Sequence, residues 1–156
     1  MDILVQVVAA YIVTVAAGII LESPKRIVYR TGIIGAISYA VYLTLANYFG
    51  VGQVLGYFVS CLIASIISQF FARQYKTAVI LFYVPTFYLY VPGSTIYQTA
   101  YNFISGRPEI GAQYLVQTLM IAGAIALGIF IADSIMTIYL GVKNRSIESL
   151  SRIAKK

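Results

Sequence analysis

Asp133 is the one ionisable residue that falls inside a long apolar run of the chain. A carboxyl group in hydrocarbon is costly unless it faces a cavity, finds a partner or exchanges a proton. No basic residue is expected at the same depth, so Asp133 is a candidate coupling or proton site. The plainer alternative is hydration from the nearby end of the span, since Lys143 follows about three helical turns later.

A second chemical feature is the stretch from Tyr83 to Tyr97, where Pro85, Pro92 and Gly93 interrupt an apolar, tyrosine-rich run. Each proline removes a backbone donor, which predicts a helix that breaks near Pro92. At membrane depth a break leaves polar backbone groups that only protein or a water-filled cavity can satisfy, and transporters use such breaks to bind substrates and ions. Ser94 and Thr95 sit where a new helix would start, and its amides suit a carboxylate. Pro92, Gly93, Ser94, Thr95 and Tyr97 are therefore the candidate substrate-binding residues. Equally open is a span that simply ends at the outer interface. Tyr83, Phe87, Tyr90, Tyr97 and Tyr101 fall near one face if the helix is read through the turn, and an aromatic belt at the headgroups is their default explanation.

Other chemistries lack their residues. The chain has no histidine and one cysteine, Cys61, which excludes a serine or cysteine triad, a disulfide and a His/Cys metal centre. A single intramembrane Asp makes no aspartyl dyad, and no glycine-rich nucleotide loop is present. The chain is not expected to be an enzyme, to bind a metal or to use a cofactor.

The elements that must position these residues follow from composition. Of 156 residues, 60% are hydrophobic and 10% charged, too few charges to cover a water-soluble domain. Apolar stretches of bilayer-crossing length run over 3–21, 32–48, 51–72 and 114–140, with a shorter, proline-interrupted one over 77–91. The expected fold is all-α: a polytopic integral membrane protein of about five transmembrane helices, the fourth broken near Pro92-Gly93. A single helical domain over 1–142 and a basic tail over 143–156 are expected.

The net charge of +6 does not point to nucleic acid, because of where it lies. Basic residues gather after the first, third and fifth spans, at Lys25, Arg26 and Arg30, at Arg73 and Lys76, and from Lys143 onward. By the positive-inside rule this puts the N-terminus outside and the C-terminus in the cytoplasm. Small residues mark close helix approach: Ala124, Gly128 and Ala132 repeat every four residues, and Gly32 and Gly35 open the second span. This seam is expected to press on a neighbouring helix or a partner subunit. Gln69 is among several polar residues expected to bond across helices or to their own backbone.

These motifs resemble the small-subunit, or C-terminal, half of the threonine/serine exporter family. The fourth span of that family reads roughly V-P-G-I-x-P-L-V-P-G-x-x-x-Y, and Val84-Pro85, Val91-Pro92-Gly93 and Tyr97 fit it. Thr86 and Leu89 depart, standing where the family has Gly and Pro, which makes for a milder break. Pro24-Lys25-Arg26 with Gly32 and Gly35, and Ala72-Arg73 with Lys76, extend the likeness across most of the chain. The resemblance implies a secondary exporter of small polar metabolites, threonine and serine or a small dicarboxylate. It also implies a plasma (inner) membrane location and a heteromeric complex with a larger membrane subunit. A non-transporting scaffold or regulatory subunit is the alternative.

Overall fold

The computed structural model describes residues 3–153, with side chains described through Tyr139. The regular structure of the described residues is all helical, in six α-helices: α1 (Ile3–Ile20), α2 (Lys25–Tyr48), α3 (Gln53–Gln74), α4 (Ile80–Phe87), α5 (Gly93–Ile104) and α6 (Pro108–Ile153). A 3₁₀ turn, Tyr88–Tyr90, prolongs α4. Four helices are long and apolar enough to cross a membrane: α1, α2, α3 and the Pro108–Tyr139 part of α6. The helix α6 continues to Ile153, into the basic tail, where the side chains lie outside those described; Ala154–Lys156 lie outside the described residues altogether.

The fourth crossing is the exception expected of it. Eight residues of α4 and three of the 3₁₀ turn reach only about 18 Å, little more than half of a ~30 Å hydrocarbon core. The chain then leaves helical geometry at Val91 (ψ 123°) and Pro92 (ψ 55°) and resumes as the twelve-residue α5. Tyr83 of α4 meets Asp133 of α6, while Thr95 of α5 meets Thr118 of α6. Passing from α4 to α5 therefore climbs about 22 Å along α6, at 1.5 Å per residue. The two half-helices run one after the other along α6, antiparallel to it. Because Pro92 lines a cavity with Ala122 and Ala126, the break falls within the apolar stretch of α6 rather than at its end.

Short connections hold the helices in antiparallel pairs. Three of these turns close with the same bond, in which the amide three past the last helical residue returns to the carbonyl five residues back: Ser23 to Gly18 (3.0 Å), Thr77 to Ala72 (2.9 Å) and Arg107 to Asn102 (2.9 Å). The residue before each donor has positive φ: Glu22 at 53°, Lys76 at 51° and Gly106 at 71°. That left-handed residue is what lets the last carbonyls find donors.

Buried Ile27 and Ile34 of α2, Ala64 and Ala72 of α3 and Phe82 of α4 form the core, flanked by Phe71, Tyr75 and Phe87. Glycines set the close approaches. A Cβ on Gly128 would stand 2.9 Å from the Phe58 carbonyl oxygen, so α6 rests its small face, including the buried Ala124 and Ala132, on the backbone of α3. A Cβ on Gly32 would meet the Tyr11 ring at 2.7 Å, and one on Gly35 would collide with Thr14, which seats α2 on α1.

Candidate functional site

Four residues from three helices converge at one end of the bundle. The Tyr83 hydroxyl donates to Asp133 Oδ1 at 2.6 Å. Gln69 Nε2 donates to the same carboxylate oxygen and also reaches Tyr83 Oη at 3.0 Å. Behind it, Arg73 Nη2 donates to Gln69 Oε1 at 3.3 Å. No basic side chain bonds Asp133 directly among the described residues; Arg73, one turn beyond Gln69 on α3, reaches the Gln69 amide behind it. The physical reason is helical spacing, since positions i and i+4 stack on one face and let a long side chain lie back over the preceding turn. A glutamine suits the relay because it carries an acceptor for the guanidinium and donors for the carboxylate on one planar group.

Asp133 itself is exposed on this chain, whereas Gln69 and Tyr83 are buried. Its carboxylate opens into a cavity of about 590 Å³ between α4 and α6, lined by Gln69, Val79, Ile80, Tyr83, Val84, Phe87, Ile129, Asp133 and Thr137. A second, apolar cavity of about 420 Å³ shares Val84, Phe87 and Ile129 with the first and continues to Tyr88, Val91 and Pro92. Through these shared residues the two adjoin as one groove, polar at the Asp133 end and apolar toward Val91 and Pro92.

At the break, α5 begins at Gly93 as expected, with no side-chain cap. The Gly93 amide turns back to the Val91 carbonyl at 2.7 Å, and Ile96 N–H takes the Pro92 carbonyl. Ser94 and Thr95 supply the other amides of the first turn, where helical amides have no intrahelical carbonyl to bond. The candidate binding residues divide between two surroundings. Gly93, Ser94 and Tyr97 are exposed, and a Cβ on Gly93 would meet no atom within 4 Å. Thr95 is buried, donates to the Pro92 carbonyl at 3.0 Å and accepts from Thr118 Oγ1 at 2.8 Å, so it ties α5 to α6 instead of facing the groove. Asp133 and the break sit at opposite ends of the groove and make no contact.

The aromatic face read through the turn does not survive it. Tyr83 and Tyr90 are buried, while Tyr97 and Tyr101 are 64% and 52% exposed and stack on each other at 6.0 Å. Val91 and Pro92 rotate the second half-helix away from the first. Of the polar residues of the spans, Thr14 and Ser65 bond to carbonyls one turn back and Gln117 bonds across to Gln53 at 3.3 Å, as expected, whereas Ser68 finds no partner among the described residues. Gln69 was one of that group, and its place in the Asp133 cluster is what sequence reasoning missed; its position four residues before Arg73 was the available signal.

A broken helix, a carboxylate within a span-length helix and a groove running from one toward the other are features that transport proteins use. The family comparison agrees: the model described as "Threonine/Serine exporter, ThrE" matches residues 6–135, which takes in α1 to α5, the break and Asp133. The chain belongs to the threonine/serine exporter family. That family is one of exporter-type transporters in the membrane, not of enzymes. No curated protein and no solved structure matches the chain.

Proposed function

We propose that the chain is one subunit of a secondary-active exporter of small polar metabolites, threonine or serine in type or a small dicarboxylate, and that the α4/α6 groove is its half of the transport path. The groove carries this reading. It runs from Asp133 to Val91 and Pro92, the residues just before the half-helix α5, and so brings near each other two features that physical chemistry associates with transport, a helix break and a carboxylate within a span-length helix.

In this reading the amides of Ser94 and Thr95, with Pro92 and Gly93 giving access, hold the substrate carboxylate at the start of α5. Tyr97 stands one turn further along. Asp133 couples transport by changing its charge or its partner as the groove changes access. The exposed side of Gly93, Ser94 and Asp133 is then where a larger membrane subunit completes the path, because an open carboxylate and an uncapped helix start are poorly served by lipid. The basic clusters after α1, α3 and the last span support a cytoplasmic C-terminus and an outside N-terminus.

The scaffold alternative drew on the small-residue face of Ala124, Gly128 and Ala132. That face rests on α3 of the same chain, so it is not free to bind a partner. The test is efflux from cells loaded with a threonine-containing dipeptide, comparing wild type with Asp133→Asn and Gly93→Leu. Loss of efflux with undiminished co-purification of a larger membrane subunit is expected. Wild-type efflux in both variants overturns the reading.

A further inference from the structure

The face of α4 turned away from the groove carries a second polar feature. Ser60 and Ser68 of α3, Thr86 of α4 and Tyr90 of the 3₁₀ turn are all 0% exposed, and their hydroxyl oxygens find no hydrogen-bond partner among the described residues. Buried hydroxyls in native proteins are very largely bonded. Helical Ser and Thr have a ready escape, donation to the carbonyl one turn back, which Ser65 and Thr14 take. Four that do not, on one seam, call for a common partner.

The register places them together. Helix α3 runs antiparallel to α4, with Gln69 against Tyr83 and Ser60 against Tyr90; the Tyr90 hydroxyl lies close to those of Ser60 and of Ser38 on α2 but forms no hydrogen bond of ordinary length with either. Between these levels lies Thr86 of α4, one turn before Tyr90. The facing α3 surface, Ser60, Ala64 and Ser68, is built from small side chains. No acidic side chain belongs to the set, and the hydroxyls are neutral, so a bare cation would pay its full desolvation without a counter-charge. The chemistry fits a neutral ligand with two donors and two acceptors.

We infer that the α3/α4 seam holds a short file of ordered water molecules, bonded by Ser60, Ser68, Thr86 and Tyr90. It runs behind α4 from the level of the Asp133 cluster to the level of the helix break. Ser65, beside Tyr83, joins the file to the Gln69–Tyr83–Asp133 cluster. Each water would make about three bonds to groups that otherwise have none. The file is separate from the groove, with the body of α4 between them.

The purified protein in lipid nanodiscs tests this with two readouts. Millisecond X-ray radiolysis in ¹⁸O water oxidises side chains that touch bound water, so Tyr90 should label at least several times faster than Phe82, an aromatic ring equally buried but with no hydroxyl to hold water. Thermal unfolding of Tyr90→Phe, Ser60→Ala and the double variant supplies the second. Shared waters predict that each single variant lowers the midpoint by about 2–4 °C and that the double variant falls short of the sum. Removing a hydroxyl from a dry seam relieves an unpaired polar group and raises the midpoint instead. Labelling of Tyr90 no faster than Phe82, or a Tyr90→Phe variant more stable than wild type, overturns the inference.

Discussion

Tyr83 donates its hydroxyl hydrogen to Asp133 across 2.6 Å, linking the short half-helix α4 to the long α6 over fifty positions of sequence. The bond fixes the height of α4 against α6 and thereby the shape of the groove. It also means that any change in charge at Asp133 is felt directly by the half-helix that leads to the break.

The Asp133 cluster should separate function from folding. Asp133→Asn keeps an acceptor for Tyr83 or Gln69, so the fold is expected to survive with a loss of about 1 kcal/mol or less, while efflux falls at least tenfold. Asp133→Leu leaves two buried donors unpaired and should cost about 2–4 kcal/mol. Melting midpoints and efflux rates on the same preparations check both, and an Asn variant that transports normally would contradict a coupling role.

Gln69→Leu removes the relay between Arg73 and Asp133 at nearly constant volume. The expected result is a loss of both stability and transport, with Arg73→Gln giving a weaker version of each because Gln69 and Tyr83 still hold the carboxylate. Equal defects in the two variants would mean that the guanidinium, not the amide, is the essential partner.

Gly128 offers a purely steric contrast. A Cβ there stands 2.9 Å from the Phe58 carbonyl oxygen, whereas one on Gly123 meets nothing within 4 Å. Gly128→Ala is therefore expected to destabilise by about 1–3 kcal/mol as α6 is pushed off α3. Gly123→Ala should be neutral or slightly stabilising, since alanine favours helix. Thermal unfolding of the two side by side reads the difference.

The bond between Thr95 and Thr118, 2.8 Å between hydroxyl oxygens, invites a reversible lock. With Cys61 replaced by Ala, a Thr95→Cys, Thr118→Cys pair should cross-link under mild oxidant and hold α5 on α6. If α5 shifts against α6 during transport, oxidation abolishes efflux and a reducing agent restores it. Unchanged efflux in fully cross-linked protein would assign the moving part elsewhere.

Much of this arrangement was legible because its signals are local. Pro92 and Gly93 announce the break through what each does to its own backbone, and the apolar runs announce the crossings through length alone. The four-residue repeat of Ala124, Gly128 and Ala132 gave a packing face without naming its neighbour, which is α3. What stayed hidden depends on register between helices. Gln69 and Asp133 are 64 positions apart, and nothing in either neighbourhood says that α3 and α6 meet at that height. The fate of the tyrosines was hidden for a related reason: Tyr90 and Tyr97 share a face only on a continuous helix, and two residues of non-helical backbone were enough to bury one and expose the other.

The groove also bears on how the cell handles this protein. Until something covers it, Asp133 and the start of α5 confront acyl chains, an arrangement a bilayer tolerates badly. If the chain is the subunit proposed above, a copy made in excess of its complement would carry its own mark of incompleteness, visible to the membrane's proteolytic surveillance. Balanced synthesis of the two chains would then be enforced by the geometry of α4 and α6, with no dedicated regulator.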